Sequence, residues 1–514
     1  MSEEDNTNPN NNNTDTRPTV GGIVIDGDGD DVDNGGGGDT GNNNDMIVEG
    51  KEGAGGGGSC GRYNRCRGGP LNWCKRLFVV LICFGILLIL AAIIASVVIK
   101  KYYLATKVDV PKLTLTPDDI NNDATTNTRV IIVGGGASGM FAAYTLEYLG
   151  IQDYVVLEAS SQDFGGRVQE LSAGDFVSVP LDLGAEWIHA DPSILQDLLL
   201  YENDQTSVAE NIQTMEYEPQ TYGIYSEFGG MRYRDFFRFF YREYKFVNTT
   251  WYSYLSHYVY PYISNNLKLN SVVKTIQYSN NDDGGVTVTT TDGTEYTGSH
   301  VIVATPVKIL QEDTIEFIPP LPDYKLSELN KVNMPPGLKL WIEFEERFYP
   351  DIQIPTRITQ YDAVTYLDAV YGKQEYTDSN VMLMFQIGDD DETYERVYEM
   401  NETELVTDVL SNLDTIFGSY DGDYDIATRN YKQHYVQNWS KEPYIHGMYS
   451  INDDYSKGKL LEPLLSEGVG TGGRPVVYFC GEYVASYELQ STVHGAAISG
   501  RTVAEHLVKD ILNK

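Results

Sequence analysis

Between Arg129 and Glu158 the chain reads as strand, glycine turn, helix, strand, and that order narrows the possible folds more than any other feature of the sequence. Arg129-Val130-Ile131-Ile132-Val133 is short, apolar and β-branched, and it runs straight into Gly134-Gly135-Gly136-Ala137-Ser138-Gly139. Residues 140–149 continue with helical spacing. A GxGxxG turn in that setting has a physical meaning: Gly134 makes the turn tight, Gly136 lets the backbone approach a pyrophosphate, and Gly139 lets the helix pack closely on the strand. The first helical amides, at Ala137 and Ser138, then face the anion. A second strand over 153–157 ends at Glu158, 19 residues beyond Gly139, where a carboxylate can accept from ribose hydroxyls. The predicted fold class is α/β, with a Rossmann-like nucleotide-binding domain.

The rest of the 514 residues divides unevenly. Residues 1–60 are dominated by Asn, Gly and Asp and offer too little apolar surface to offset the entropy of ordering. We expect 1–76 to be a disordered tail whose juxtamembrane end is basic. Residues 77–99 are an uncharged, apolar run of 23 residues. As a helix this run spans roughly 35 Å, against a hydrocarbon core of about 30 Å, so a single transmembrane helix is predicted. A signal peptide is shorter and lies nearer the N-terminus, and a core helix would show a polar face. Five basic residues precede the run (Arg62, Arg65, Arg67, Lys75, Arg76) and four follow it (Lys100, Lys101, Lys107, Lys112), which orients the N-terminus to the cytosol. Acceptor sequons at Asn248, Asn401 and Asn438 fit a lumenal or extracellular C-terminal part. Cys60, Cys66 and Cys74 are candidates for S-acylation. Residues 100–128, with Pro111, Pro117 and a polar cluster, read as a stalk linker. Residues 129–514 are too many for one core and imply two interleaved subdomains.

Charge limits the partners. Lys and Arg number 37 against 74 Asp and Glu, a formal net charge of −37. Such a surface repels polyanions, so no nucleic acid is expected, and it attracts small cations. Four of the five cysteines precede residue 84, which rules out a disulfide framework in the C-terminal part. No metal site is expected, and oligomeric state is not legible.

Further along come Gly165-Gly166-Arg167 and Leu183-Gly184-Ala185-Glu186-Trp187-Ile188-His189. Together with 130–167, these runs resemble the flavin-containing amine oxidase family, most closely its polyamine oxidases. The resemblance implies FAD. Gly166 and Arg167 would make a second contact to it, with Gly184, Ala185, Glu186 and Trp187 beside them, and His189 would lie near the substrate channel. Alone, His189 reads equally well as a satisfied core histidine. Ala190 stands where the family usually has Gly, a departure that affects the shape of that wall.

In the middle of the chain, 267–276, a hairpin at Asp292-Gly293 and 300–306 read as strands and turns. In the family this segment returns to the nucleotide domain, and Val273 corresponds to the residue whose backbone meets adenine. Gly337-Leu338-Lys339-Leu340-Trp341-Ile342-Glu343-Phe344 alternates, projecting Lys339 from a strand among bulky neighbours. Alone, Lys339 reads as a solvent-facing lysine on an amphipathic strand; by resemblance, it reaches a water next to flavin N5 and is the catalytic candidate, and burial there would lower its pKa.

The C-terminal runs, 439–450, 477–482 and 491–500, carry the strongest resemblance. Gly481 and Glu482 would meet the ribityl and phosphate region, and the Thr492-Val493 amides would meet the pyrimidine end of the flavin. Tyr449 would be one wall of an aromatic cage for an amine. Thr492 stands where the second wall is often Tyr, which leaves a wider cage. Cys480 lies inside the strand motif, so non-covalent FAD is expected. On this resemblance the FAD-binding parts are 129–200, 266–310 and 431–514, and the α+β substrate domain comprises 201–265 and 311–430. The implied reaction is amine oxidation by hydride transfer to flavin N5, with O2 reduced to H2O2. The alternatives are an L-amino-acid or other primary-amine oxidase, which needs a cation for the substrate carboxylate, and a flavin-retaining membrane binding protein without activity.

Overall fold

A computed structural model describes residues 78, 80–90, 107–120, 129–217, 221–226, 230–234, 243–279, 285–350, 352–355, 363–418, 422, 424–451, 467–471, 474–486 and 488–512. The expected tail 1–76, including Cys60, Cys66 and Cys74, lies outside them. Of the expected membrane span, residues 78 and 80–90 are helical, with Phe78, Leu81, Phe84 and Leu87 exposed. Residues 77, 79 and 91–99 of that span lie outside the described set, and among the described residues no helix is long and apolar enough to cross a membrane.

β1 (Val130–Val133) is buried along its whole length, which suits a strand of β-branched residues covered on both faces. It pairs in parallel with β2 (Tyr154–Leu157) on one side and His300–Val303 on the other. Leu267–Lys268 extends this six-stranded sheet beyond β2, and Arg474–Phe479 with Val469–Thr471 extends it beyond His300–Val303. Between β1 and β2 runs α1 (Ala137–Tyr148), which is apolar nearly all round and accordingly buried over its first ten residues. The long C-terminal helix α2 (Val493–Leu512) crosses α1 so closely that a Cβ on Gly500 would lie 2.0 Å from the Ser138 carbonyl oxygen.

A second, seven-stranded sheet has β3 (Gly337–Phe344) next to its edge strand, between β4 (Asn380–Ile387) and β5 (Tyr431–Gln437). All eight β3 residues are buried, Lys339 and Glu343 included. The sheet continues through Ala363–Asp368, Ile352–Pro355, Thr221–Ser226 and Gly230–Arg234.

Three expected boundaries shift. Residues 201–265 do not all join the second sheet: Val208, Trp251, Tyr254, Leu255 and Ile263 complete the core that contains Met140 and Tyr144 of α1. Residues 311–334 belong to the first half, because Glu316–Ile318 pairs with Val273–Tyr278 and Ile315, Leu321 and Leu329 pack beneath β1. β5 pairs with β3, so the last return to the first sheet begins at Val469 rather than at 431. In each case the apolar side chains are legible in sequence, but the sheet or helix they pack on is not.

The expected stalk is also revised. Val108, Val110, Leu113 and Leu115 pack against the α1–α2 core. Glu505 of α2 accepts from the Leu115 amide at 3.0 Å and the Thr114 hydroxyl at 2.8 Å, and Arg501 donates to the Pro111 carbonyl at 3.3 Å. Alternating apolar residues make 107–116 a docked strap, because burying them and satisfying their backbone outweighs leaving the segment extended in water.

Candidate active site

The site is built outward from the glycine turn. Gly134 has φ +109°, and a Cβ there would lie 2.7 Å from the Ala304 carbonyl oxygen, so this position requires glycine. A Cβ on Gly139 would lie 2.0 Å from the Gly134 carbonyl oxygen. Gly136 caps α1 without any side-chain hydrogen bond, which leaves the first helical amides to an external anion. Close to Gly134, the Thr305 hydroxyl oxygen is buried and has no hydrogen-bond partner among the described residues. An uncapped helix start, a glycine cradle and an unpartnered hydroxyl fit a dinucleotide pyrophosphate.

Glu158 stands at the end of β2, buried, accepting from the Gly135 amide at 2.6 Å and the Ser160 amide at 2.8 Å. Burial raises its pKa. The Ser271 amide donates to the Glu158 carbonyl at 2.8 Å, which puts Val273 two residues along the chain from this loop. Val273 itself is buried at the start of the Val273–Tyr278 strand.

The second glycine turn lies directly against the first. Gly165 donates to the Gly135 carbonyl at 2.8 Å and bridges Gly136, with φ of +99° at Gly165 and +60° at Gly166. Arg167 then reaches across the chain: its Nη1 lies 2.9 Å from Glu482 Oε1 and 3.0 Å from the Met448 carbonyl oxygen. Glu482 also accepts from the Ser450 amide at 3.2 Å and from the Ser450 hydroxyl. Gly481 donates to Ser499 of α2 at 3.2 Å. Ala185 donates to the Arg167 carbonyl at 3.3 Å, and a Cβ on Gly184 would lie 1.7 Å from that same oxygen.

Lys339 closes the circuit. Its Nζ donates to the Gly184 carbonyl at 2.7 Å and lies 3.5 Å from Glu186 Oε2. Burial lowers its pKa, and Glu186 and Asp182 partly oppose that effect. Across the β3–β4 register Lys339 faces Phe385, whose ring centroid is 5.8 Å from Nζ. Phe385 in turn lies parallel to Tyr449, with centroids 6.4 Å apart and planes within 3°. The half-buried Tyr449 has its phenol pushed up to about 12 by burial and by Glu482.

Other expected residues have different surroundings. Thr492 donates to the Leu489 carbonyl at 2.6 Å and accepts from the Gly495 amide at 2.9 Å, so its hydroxyl is committed to capping α2 at Val493. His189 is exposed, with Nδ1 2.6 Å from Glu243. Glu186 faces two lysines: Lys245 Nζ lies 2.6 Å from its Oε1, and Lys339 approaches its other oxygen. Trp187 packs edge-on to Tyr217 at 4.6 Å, with Lys245 5.1 Å over its ring. Cys480 is buried, and burial pushes its thiol up to about 12.

Sequence reasoning missed Phe385, Ser450, Asp182, Lys245 and Lys373. Phe385 is fixed by strand register, which one strand cannot show. Lys245 left a signal, a lone cation in the aromatic run Tyr244-Lys245-Phe246.

Residues 252–508 match the family described as Flavin containing amine oxidoreductase, and residues 132–199 match the NAD(P)-binding Rossmann-like domain. Similar curated proteins include Polyamine oxidase 6 of Oryza sativa subsp. japonica, 28% identical over 249 residues, covering 47% of this chain and 45% of the relative. Polyamine oxidase 1 of Zea mays is 28% identical over 256 residues, with the same coverage. Peroxisomal N(1)-acetyl-spermine/spermidine oxidase of Homo sapiens is 29% identical over 243 residues, covering 43% of this chain and 45% of the relative. The chain spans about half the length of the curated relatives it matches. Among solved structures, wild-type putrescine oxidase bound to putrescine superposes with TM-score 0.58 at 16% identity, covering 74% of this chain and 99% of the other, a likeness of fold.

Proposed function

The chain belongs to the family of flavin-containing amine oxidoreductases, and on that premise we propose that it is an FAD-dependent oxidase of polyamines. The observation that carries the reading is the closed circuit Gly184, Lys339, Phe385, Tyr449, Met448, Arg167, continuous with the glycine cradle through Gly165. Gly134, Gly136, Ala137, Ser138, Gly139 and Glu158 would hold the adenosine and pyrophosphate end of FAD. Gly166, Arg167, Glu482 and the start of α2 would hold the rest. The attachment is read as non-covalent, because Cys480, the one cysteine after residue 83, is buried at the end of the Arg474–Phe479 strand. FAD, when bound, supplies the two-electron oxidation of the amine and passes the electrons to O2 to give H2O2.

The protein's own residues bind, orient and move protons. The faces of Phe385 and Tyr449 attract an ammonium group by cation–π interaction and orient it before it loses its proton. Burial makes Lys339 give up a proton more easily than a surface lysine, while its Nζ donates to the Gly184 carbonyl. The net charge of −37 concentrates polycations near the surface. A substrate carboxylate would need its own cation, whereas Arg167 is already held by Glu482.

The test is a peroxide assay on the purified full-length chain with spermine, spermidine, acetylated polyamines, a monoamine and amino acids. Peroxide from polyamines is expected. Peroxide from amino acids alone would reassign the substrate class, and a yellow protein that no amine bleaches anaerobically would leave a flavin-retaining binding protein.

The proposal extends to location: residues 77–99 anchor the chain, with the N-terminus cytosolic and the catalytic part lumenal or extracellular. The apolar run supports the anchor, and the basic residues before and after it, with the sequons at Asn248, Asn401 and Asn438, support the orientation. Alkaline carbonate should leave the chain in the membrane pellet, and protease added to intact cells or sealed vesicles should reach the two sides differently. Release into the supernatant would end the anchor reading.

A further inference from the structure

Behind Lys339 lies a buried charge cluster that the proposed reaction does not use directly. Lys339 on β3 and Lys245 on Tyr244–Phe246 approach opposite oxygens of Glu186, at 3.5 Å and 2.6 Å. Both lysines and the carboxylate are almost wholly buried, with side-chain exposures of 5%, 3% and 8%. Asp182 accepts from the Trp251 amide at 2.9 Å, and Lys373 donates to the Pro180 carbonyl at 2.7 Å. A cavity with room for about one water borders Asp182, Glu186, Lys245 and Lys373. Such a water would take ammonium protons of Lys245 that Glu186 does not.

We propose that Lys245 is a positioning residue for Lys339, acting through Glu186, whose carboxylate the two ammonium groups share. The inference rests on the reading of Lys339 as the proton-handling residue of an amine oxidase. Lys245 holds the shorter contact, so Glu186 is drawn toward it and Lys339 keeps the Gly184 carbonyl as its close partner. Without Lys245, Glu186 would be free to pair fully with Lys339, fixing its proton and pulling Nζ off Gly184. The remaining charges facing the pair do not replace this contact. Lys373 also faces Glu186, but its ammonium donates to the Pro180 carbonyl; Asp182 faces both Lys339 and Lys373, and Glu170 also faces Lys373. Asp368 faces Lys245 but is held by Arg347 at 2.8 Å. Lys245 also acts directly: as a like charge it lowers the pKa of Lys339, and Glu186 raises it.

The experiment titrates the bound-flavin absorbance of the full-length holoprotein with pH, for wild type, K245M, K245R, E186Q and K339M. The step missing in K339M belongs to Lys339. In K245M that step should move up by roughly one to three pH units, because a like charge is lost and a carboxylate is freed. In E186Q it should move down, and K245R should restore the wild-type midpoint. An unmoved midpoint in folded, flavin-loaded K245M overturns the proposal. The same proteins are unfolded in denaturant at pH 7 and pH 9, with the K245M/K339M double variant added. This measurement needs neither flavin nor turnover. Non-additive midpoints support the coupling, and additive ones overturn it. If amines never bleach the flavin while these couplings hold, the functional reading fails and the positioning role of Lys245 stands.

Discussion

Lys339→Met is expected to lower the rate of amine turnover by roughly 10²- to 10⁴-fold, the usual range for losing one positioned proton-transfer group, while the purified protein stays yellow. The stem of Met fills the same buried strand position, so folding should survive. What disappears is an ammonium 2.7 Å from the Gly184 carbonyl and 5.8 Å from the Phe385 ring. The pH profile carries the sign. Burial makes the lysine lose its proton at lower pH than a free lysine would. If the neutral form is the working one, the wild-type rate rises with pH through that lowered value, and the Met variant shows no such limb. Stopped-flow measurement of flavin reduction and reoxidation across pH decides it. A Met variant with wild-type rates and the same rising limb would remove Lys339 from the reaction.

The second large effect is expected at Gly184. An alanine Cβ there would sit 1.7 Å from the Arg167 carbonyl oxygen and 3.2 Å from the Trp439 ring. Backbone cannot retreat from backbone as a flexible side chain can, so the turn must open. That displaces the acceptor of Lys339 and the segment that carries Arg167. Gly184→Ala should destabilise the chain by about 3 kcal/mol, at the upper end of overpacking costs, and lose flavin in purification. Denaturant unfolding with flavin content measured in the same samples tests it. A variant with wild-type stability and full flavin content would mean that the closeness of Gly184 to Arg167 has no structural consequence.

Much of the first half was legible because its signals are local. The β-branched run 130–133, the glycine spacing that follows and the acid at 158 each follow from short-range geometry: a turn with positive φ, an uncapped helix start, a carboxylate one strand away. Lys339 was found only through the family resemblance, since in a strand that also carries Glu343 its residue pattern alone reads as a solvent-facing lysine. The strap at 107–116 was misread for a similarly local reason. Its prolines and polar neighbours pointed to a linker, while the alternation of Val108, Val110, Leu113 and Leu115 was passed over.

By itself, then, the sequence determined the nucleotide half: which residues turn and which are buried in β1 and α1; Lys339, Tyr449 and Glu482 were named through the family resemblance. Tertiary structure alone decided their company. Arg167 and Glu482 are 315 residues apart, Glu186 and Lys339 are 153 apart, and Lys245 joins them from Tyr244–Phe246, whose lone cation does not show which carboxylate it meets. The physical reason is that a turn or a helix start is set by dihedral angles over a few residues. A shared carboxylate or a stacked ring pair is set instead by strand register and by which elements pack together, and no local pattern encodes these.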